Sequence, residues 1–507
     1  MLLGAGSALG FEPFALWPLT LLACAALIVL LQAAPTRKQA AGLGWSFGLG
    51  QFAVSLNWLP TAFTFQAALP VWLGWIAVLL IAAYLALYPA LAALIAWHAR
   101  IRTAALVLAL AGAWTLAEWL RGSLLTGFPW NPLGAVLLGP FEHPGTARLV
   151  PWLGTYALSA LAVLFAGLWH AGLSRFRTDR RALLLLPLPL VTQFWPQAAP
   201  PPRAAGEGVP YVLAQPNIPQ QELNDPENFA INYQRLASLL PPPRAGGKAL
   251  VLWPESGLSD YLRDGYPARY YLDTYGADPA LARARIARDL GSDRLLLGGT
   301  VELEIKQGRA SGARNAITAI DGTGTVRASY AKAHLVPFGE YLPLRGLFTP
   351  LGLSRFVPGD IDFWPGPAPQ TIDLGSFGKA GMQICYEIIF PGHVVDPAHR
   401  PDYIFNPSND GWYGAWGPPQ HLAQARLRAL EEGLPVLRST TTGISAVVDA
   451  DGVVLQSVPL HSAGVLLGRI PRAHAPTLFA RGGNLLSLGW ALLLLAASLV
   501  ALRRARG

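Results

Sequence analysis

Residues 39–99 read QAAGLGWSFGLGQFAVSLNWLPTAFTFQAALPVWLGWIAVLLIAAYLALYPALAALIAWHA and contain no Asp, Glu, Lys or Arg. A helix needs about 20 apolar residues to cross the hydrocarbon core of a bilayer. The stretch is therefore long enough for two spans, and its prolines between residues 60 and 70 predict a turn between them. This pattern is typical of a polytopic membrane protein.

The rest of the chain carries further uncharged segments, and the whole chain is 52% hydrophobic and only 13% charged. Soluble domains carry about 25% charged residues. Residues 1–10 are apolar but too short to span, and we count them as a truncated first helix. Five more helices bring the total to about eight, and they are predicted over residues 13–36, 103–117, 149–174, 182–202 (interrupted by Pro187 and Pro189) and 482–502.

The placement of the basic residues predicts how the chain is oriented. The net charge is +8, which can indicate a nucleic-acid ligand, but the basic clusters lie beside apolar segments, so we expect no nucleic acid. If the spans alternate, these clusters share the cytoplasmic side, and the long polar region is extracytoplasmic. The clusters are Arg37 and Lys38, Arg100 and Arg102, residues 175–181, and residues 503–506.

The predicted organisation therefore has three parts. Residues 1–204 hold membrane helices one to seven, residues 205–475 form an extracytoplasmic domain, and residues 476–507 hold the last helix and a basic cytoplasmic tail. The polar region contains one cysteine, Cys385, and the other cysteine, Cys24, lies in a predicted helix. A disulfide within the polar region is therefore excluded.

Strand-like and helix-like runs alternate in the polar region, which predicts an α/β or layered α+β domain. Asp321-Gly322 and Asp451-Gly452 each separate two β-rich runs, as in hairpins. The predicted strands are 211–215, 249–253, 295–298, 316–320, 325–329, 381–384, 403–405 and 444–448, and the predicted helices are 226–240, 278–290 and 420–432.

Cys385 follows directly on the strand predicted over residues 381–384. A thiol at a strand end near charged groups can become a nucleophilic thiolate, whereas an isolated free cysteine is more often a buried structural residue. The run VLWPE (251–255) ends in Glu255, where a general base for the thiol would have to stand. Taken alone, this motif is a weak signal.

A second charged motif, AKAHLVPFGEY (331–341), sets Lys332 and Glu340 in a segment otherwise nearly free of charge. An ammonium group there could stabilise an oxyanion, although most lysines are solvated on loops. The conjunction of Glu255, Lys332 and Cys385 favours the catalytic interpretation.

These three residues occur in the chain order of the Glu-Lys-Cys catalytic set of the nitrilase superfamily, which the polar region resembles. With membrane helices on both sides of that region, the chain resembles the bacterial apolipoprotein N-acyltransferases. The specific motifs are KxHLVPFGE (332–340) and ICYE (384–387), supported by EWLR (118–121), GFPW (127–130), QxNIPQ (215–220), SNDGWYG (408–414), RST (438–440) and GISAV (443–447).

The resemblance implies an α-helical transmembrane bundle plus an αββα nitrilase-like (carbon-nitrogen hydrolase) domain, in a monomer of the bacterial inner membrane with its catalytic domain in the periplasm. Glu255 would deprotonate Cys385, and the thiolate would take an acyl chain from a phospholipid such as phosphatidylethanolamine, forming a thioester while Lys332 holds the oxyanion. The acceptor would be the α-amine of a diacylglyceryl apolipoprotein, and no metal or other cofactor is implied. Supporting positions matched by motif are Glu340, Tyr386 and Glu387, with Asn315 as a further candidate.

The chain departs from the family pattern at Asn224, where a tryptophan is common, so local substrate contacts are expected to differ. We interpret residues 341–356 as a lid that dips toward lipid and the aromatic loop 412–417 as a lining of the acyl path, with plain loop packing as the alternative for both. Glu118 and Arg121 are one helical turn apart, and they either pair structurally or meet a lipid headgroup.

Two other functions remain open at this level. A membrane-tethered amidase would use the same three residues but transfer the acyl group to water. A transporter or receptor with an extracytoplasmic binding domain would leave Cys385 as a buried structural residue, although the low charge of the helices disfavours ion transport.

Overall fold

The apolar segments of the N-terminal part fold into a helical bundle, which we describe from a computed structural model that covers residues 1–65, 70–176, 178–196, 207–242, 247–343, 346 and 362–503. Four described helical segments are long and apolar enough to cross a membrane: Leu73–Trp97, Thr103–Ser123, Thr155–Arg175 and Asn484–Arg503. The helices of this part are α1 Leu2–Ser7, α2 Trp17–Ala33, α3 Arg37–Ser55, α4 Pro60–Phe63, α5 Leu73–Leu85, α6 Leu87–Trp97, α7 Thr103–Ser123, α8 Val150–Leu153, α9 Thr155–Arg175 and α10 Leu188–Gln193. The first of the four segments consists of two consecutive helices, α5 and α6.

Close helix packing in the bundle depends on small residues. Helix α3 packs along α6, and a Cβ atom on Gly44 would lie 2.5 Å from the carbonyl oxygen of Pro89. Helices associate in lipid mainly through such close contacts between small residues. Residues 1–10, predicted as a truncated helix, form the six-residue α1 followed by a 3₁₀ turn.

The segment predicted over residues 182–202, with an interruption at Pro187 and Pro189, forms no single continuous helix within its described residues. A 3₁₀ turn at Arg180–Leu185 is followed by Pro187 and the short α10, because proline cannot donate the backbone hydrogen bond that a continuous helix requires. The segment still runs back along α9. Trp169 Nε1 donates to the carbonyl of Leu186 at 2.9 Å, and the backbone N–H of Thr146 donates to Gln193 Oε1 at 3.1 Å.

The described residues of the polar region form two six-stranded sheets, with strand orders β12-β1-β2-β3-β4-β5 and β11-β10-β9-β8-β7-β6. Strands β1, β2 and β3 pair in parallel, as do β7, β8 and β9. The strands are β1 Pro210–Gln215, β2 Ala249–Leu252, β3 Arg294–Lys306, β4 Arg309–Asp321, β5 Val326–Ala331, β6 Thr371–Asp373, β7 Lys379–Met382, β8 Tyr403–Ser408, β9 Val436–Thr440, β10 Ser445–Val448, β11 Val454–Val458 and β12 Gly464–Arg469.

The two sheets pack face to face, with helices on their outer sides. Leu252 of the first sheet and Phe405 of the second belong to one buried cluster, and Tyr233 and Ile286 cover the outer face of the first sheet. This is the αββα layering that the resemblance implied. The remaining helices are α11 Gln220–Leu223, α12 Phe229–Ser238, α13 Pro279–Leu290, α14 Gly417–Glu432, α15 Leu478–Gly482 and α16 Asn484–Arg503.

Helix α14 joins the two halves of the molecule. Arg428 Nη2 donates to Thr155 Oγ1 at 2.5 Å, and the backbone N–H of Thr155 donates to Glu431 Oε1 at 2.9 Å. The second bond satisfies a buried backbone N–H at the start of α9, where the first N–H groups of a helix have no partner within the helix. The start of that membrane helix is therefore anchored on the outer helix of the second sheet.

Candidate active site

Cys385 lies three residues beyond the end of β7, at the start of the 3₁₀ turn Cys385–Ile389. Its φ of +51° is in the left-handed region, which non-glycine residues adopt at some energetic cost and often at functional sites. Two donors hold its carbonyl oxygen: His421 Nε2 at 3.1 Å and Asn406 Nδ2 at 3.4 Å. Asn406 lies in β8 and His421 lies in α14, so both elements support this strained backbone.

Glu255, Lys332 and Glu340 meet in one buried cluster. Lys332 Nζ lies 3.0 Å from Glu340 Oε1 and 3.5 Å from Glu255 Oε1. Asn315 bridges the two carboxylates, because its Nδ2 donates to Glu255 at 2.7 Å and to Glu340 at 2.8 Å. The second oxygen of Glu255 accepts from the backbone N–H of Asn409 at 2.8 Å. Every carboxylate in the cluster therefore has a defined orientation.

The charges of the cluster act on the Cys385 thiol. Burial raises the pKa of Cys385 and the Glu255 carboxylate raises it further, while Lys332 and the backbone N–H of Asn409 act in the opposite direction. Burial by itself would lower the pKa of Lys332, but Glu340 and Glu255 more than offset it, so the pKa lies above its usual value. Lys332 is therefore an ammonium ion and Cys385 a neutral thiol at rest, which needs a base before it can attack.

Glu387 connects the strand end that carries Cys385 with the segment that carries Lys332. Its Oε1 accepts from Tyr330 Oη at 2.8 Å and from the backbone N–H groups of Ala333 and His334 at 2.7 and 3.0 Å, and its Oε2 accepts from the N–H of Ile384 at 2.7 Å. The side chain lies in a buried site, and burial raises its pKa to about 7.

Tyr386 faces the membrane half, where its hydroxyl donates to the carbonyl of Gly127 at 3.2 Å. The structure thus brings Glu255, Lys332, Glu340 and Asn315 into one hydrogen-bonded cluster, while Tyr386 and Glu387 are the two residues that follow Cys385.

Two family profiles match the two halves of the chain. The one described as apolipoprotein N-acyltransferase N-terminal domain matches residues 3–168, and the one described as carbon-nitrogen hydrolase matches residues 213–477. The apolipoprotein N-acyltransferase of Rhodopseudomonas palustris is 35% identical over 96% of this chain and 91% of its own length. That of Bradyrhizobium diazoefficiens is 36% identical over 99% of this chain and 93% of its own length.

The chain belongs to the apolipoprotein N-acyltransferase family.

Membership in this family gives the enzyme class as acyltransferase and makes the chain a membrane protein of the nitrilase superfamily. Among solved structures, an amidase from Nesterenkonia aligns with a TM-score of 0.34 at 19% identity, over 53% of this chain and 94% of its own. A nitrilase-superfamily protein from Saccharomyces cerevisiae aligns with a TM-score of 0.37 at 18% identity, over 52% and 90%.

A buried charged network lies beneath Cys385, and the sequence did not predict that its members come together. Arg438 Nη2 donates to both oxygens of Asp410 at 2.7 and 2.8 Å, and His421 Nδ1 lies 3.0 Å from Asp410 Oδ1. Burial and the neighbouring Arg438 lower the pKa of His421, while Asp410 and the Cys385 carbonyl act in the opposite direction. The Nε2–H of His421 donates to the Cys385 carbonyl. Asp410 and Arg438 stand in recognised motifs, but no sequence signal marks His421.

The aromatic loop predicted to line the acyl path lies beside Cys385. Tyr413 Oη is 3.6 Å from Cys385 Sγ, and its ring packs on Trp58 and Trp130 of the membrane half at centroid distances of 4.9 and 5.4 Å. The proposed lid over residues 341–356 falls mostly outside the described residues. Asn224 is exposed at the end of α11.

Glu118 and Arg121 form structural contacts. Glu118 accepts from Trp114 Nε1, the N–H of Leu133 and Ser159 Oγ at 3.0, 2.7 and 2.5 Å. Arg121 Nη1 donates to the carbonyls of Phe128 and Trp130 at 2.9 and 2.7 Å. The pair therefore holds the loop that places Trp130 over the site.

Proposed function

We propose that the chain transfers an acyl chain from a phospholipid to the N-terminal α-amine of a diacylglyceryl apolipoprotein, through a thioester on Cys385. The observation that supports this proposal is that the charges of Glu255 and Lys332 act on the buried Cys385 thiol, in a chain of the apolipoprotein N-acyltransferase family. The reaction would be the last step of lipoprotein maturation.

The first half-reaction uses Glu255 as a general base. The proton of the Cys385 thiol passes to the Glu255 carboxylate, and the thiolate attacks the ester carbonyl carbon of the phospholipid. Lys332 stabilises the negative oxygen that forms. The ester C–O bond then breaks, and the departing lysophospholipid alkoxide takes the proton from Glu255.

The second half-reaction reverses these roles. The α-amine of the lipoprotein attacks the thioester carbonyl, Glu255 takes a proton from the amine, and the C–S bond breaks. Glu255 then passes this proton to the departing thiolate. An amide is formed and Cys385 is regenerated, so the kinetics are ping-pong. Glu340 and Asn315 hold Lys332 and Glu255 in position throughout, and Glu387 keeps the two segments together.

The location follows from the chemistry of the substrates. A diacylated donor leaves a bilayer at great cost, about 0.8 kcal/mol for each buried methylene, so the site has to be held at the membrane. Phosphatidylethanolamine is the donor we would test first. The basic clusters beside the helices support an inner-membrane protein whose catalytic half lies in the periplasm.

The test is intact mass spectrometry of the purified protein after incubation with phosphatidylethanolamine. The unchanged protein should gain the mass of one acyl chain, and a synthetic diacylglyceryl-cysteine peptide should discharge it. Cys385→Ala should gain none. Cys24→Ala, which removes the other thiol from a buried position in α2, is the matched control and should load normally.

Other outcomes separate the alternatives. An adduct that only water discharges would support a hydrolase, because the acceptor is what distinguishes the two activities. Equal loading of Cys385→Ala would remove Cys385 as the nucleophile and overturn the proposal.

A further inference from the structure

Tyr413 is the side chain of the aromatic loop that reaches the reacting atom. It ends the 3₁₀ turn Asp410–Tyr413, and its hydroxyl oxygen lies 3.6 Å from Cys385 Sγ. Both side chains are buried, with relative exposures of 7% and 4%. Within the described part of the chain, this hydroxyl makes one side-chain hydrogen bond, and that bond is to Cys385.

The ring of Tyr413 is held from three sides. Trp58 and Trp130 of the membrane half and His421 of α14 surround it at centroid distances of 4.9, 5.4 and 5.5 Å. Trp130 is itself fixed, because its Nε1 donates to Gln420 Oε1 at 2.8 Å. The hydroxyl therefore has little freedom to turn away from the sulfur.

The direction of the hydrogen bond changes when the thiol loses its proton. A thiolate has no hydrogen to donate, so between these two groups only the phenol can then be the donor. Burial and the neighbouring Cys385 raise the pKa of Tyr413, so the phenol keeps its proton.

We propose that Tyr413 is a catalytic residue whose phenolic O–H donates a hydrogen bond to the Cys385 sulfur whenever that sulfur carries negative charge. The inference rests on the proposed function, in which Cys385 is the nucleophile. The surroundings make such a donor useful, since the nearby carboxylates of Glu255 and Asp410 disfavour a thiolate.

The donor acts in both half-reactions without itself losing the proton. In the first, it stabilises the thiolate left after the thiol proton has moved to Glu255, before the C–S bond forms. In the second, it stabilises the same thiolate as the leaving group when the amine displaces it from the thioester and the C–S bond breaks.

The expected effect of removing the hydroxyl is moderate. A hydrogen bond to a charged group shifts the pKa of that group by about one to two units. A less acidic thiol is less often ionised but more nucleophilic once ionised, with a Brønsted coefficient of about 0.5. The net loss in the rate of attack is therefore about three- to tenfold.

The test compares Tyr413→Phe with Tyr403→Phe in full-length protein carrying Cys24→Ala. Tyr403 is a buried tyrosine of β8 whose hydroxyl donates to the Phe377 carbonyl at 3.1 Å, so its variant controls for the loss of a buried hydroxyl. The first readout is the rate of alkylation of Cys385 by iodoacetamide between about pH 7 and pH 10, around the usual thiol pKa. The second is the rate of acyl loading from phosphatidylethanolamine.

Tyr413→Phe should slow both rates by about three- to tenfold, and Tyr403→Phe should leave both unchanged. Unchanged rates in Tyr413→Phe would overturn the inference. If that variant does not fold, 3,5-difluorotyrosine at position 413 keeps the ring and supplies a stronger donor, so alkylation should become faster, and unchanged or slower alkylation would overturn it. Alkylation of Cys385 needs no turnover, so this readout tests the role of Tyr413 independently of the proposed reaction. A failure of the proposed reaction would instead appear as equal acyl loading of Cys385→Ala and the unchanged protein.

Discussion

The two halves of the molecule each bury a carboxylate beside a cation, and the two clusters differ in what surrounds them. In the membrane half, Arg121 and Glu118 approach to 3.9 Å, and each is satisfied mainly by backbone groups or neutral side chains. In the catalytic half, a single ammonium, Lys332, faces two carboxylates at 3.0 and 3.5 Å, and a thiol lies within their electrostatic influence. Burial of charge alone therefore does not identify a reactive site, since a nucleophile must also lie within reach.

Replacing Lys332 with Met should give the largest effect and tests the catalytic side of this comparison. The variant keeps most of the apolar stem but removes the proposed oxyanion donor, and we expect acyl loading to slow by about 10³-fold. Lys248→Met, which removes an ammonium that donates to the Ser376 carbonyl outside the cluster, should load at the normal rate. Normal acyl loading of Lys332→Met would indicate that the cluster around Lys332 has only a structural role, like the Glu118–Arg121 pair.

Glu118→Gln should lower stability while leaving the chemistry intact. The change removes the charge that faces Arg121, and uncompensated buried charge costs about 3 kcal/mol or more. Thermal unfolding of the full-length protein should therefore occur at a lower temperature, with the acyl-loading rate per folded molecule unchanged. The control is Glu142→Gln, an exposed residue of the same half, and a loading defect in the folded Glu118 variant would contradict the structural role.

The pH dependence of Glu387 should show how the catalytic half uses a buried carboxylate. Burial raises its pKa to about 7 in the folded protein, against about 4.3 in an unfolded chain. Below pH 7 the carboxyl is protonated and faces four donors, so acyl loading should decline as the pH falls. Glu387→Gln should load slowly at every pH and should not show this decline in acyl loading at low pH.

The same shift has the opposite effect on stability. Because the folded state binds the proton more tightly, the contribution of Glu387 to the free energy of unfolding is largest below about pH 4 and decreases as the pH rises to 7. The difference in melting temperature between the wild type and Glu387→Gln should change between about pH 4 and pH 7. A constant difference across this window would show that the pKa of Glu387 is not raised on folding.

Ser159→Ala should give the smallest effect. It removes two buried hydrogen bonds, one of the three that Glu118 accepts and the one that the Gly134 N–H donates, and loss of each costs about 1 kcal/mol. A small drop in melting temperature is expected, whereas Ser174→Ala, at an exposed position of α9, should melt like the wild type. A drop as large as that of Glu118→Gln would mean that the Glu118 charge itself contributes little.

Sequence patterns were sufficient where a property is local or repeats along the chain. Long uncharged segments predicted α2, α7, α9 and α16, because lipid excludes charge over a fixed length. Alternation and turn residues predicted most strands, including the hairpin at Asp321-Gly322, but not β6, β9 or β12. Strand β12 pairs with β1 from the far end of the domain. The resemblance supplied Glu255, Lys332 and Cys385 before any geometry was known.

The amino-acid sequence by itself determined the membrane bundle, the α/β character of the polar region and the order of Glu255, Lys332 and Cys385, since each depends on composition or spacing along the chain. Only the tertiary structure decided that Tyr413 touches the Cys385 sulfur, that His421 holds its carbonyl and that Glu118 and Arg121 pair within the fold. These contacts join residues distant in the chain. Their energies depend on burial and on distances of about 3 Å, at which hydrogen bonds form, and neither quantity is encoded in any single segment.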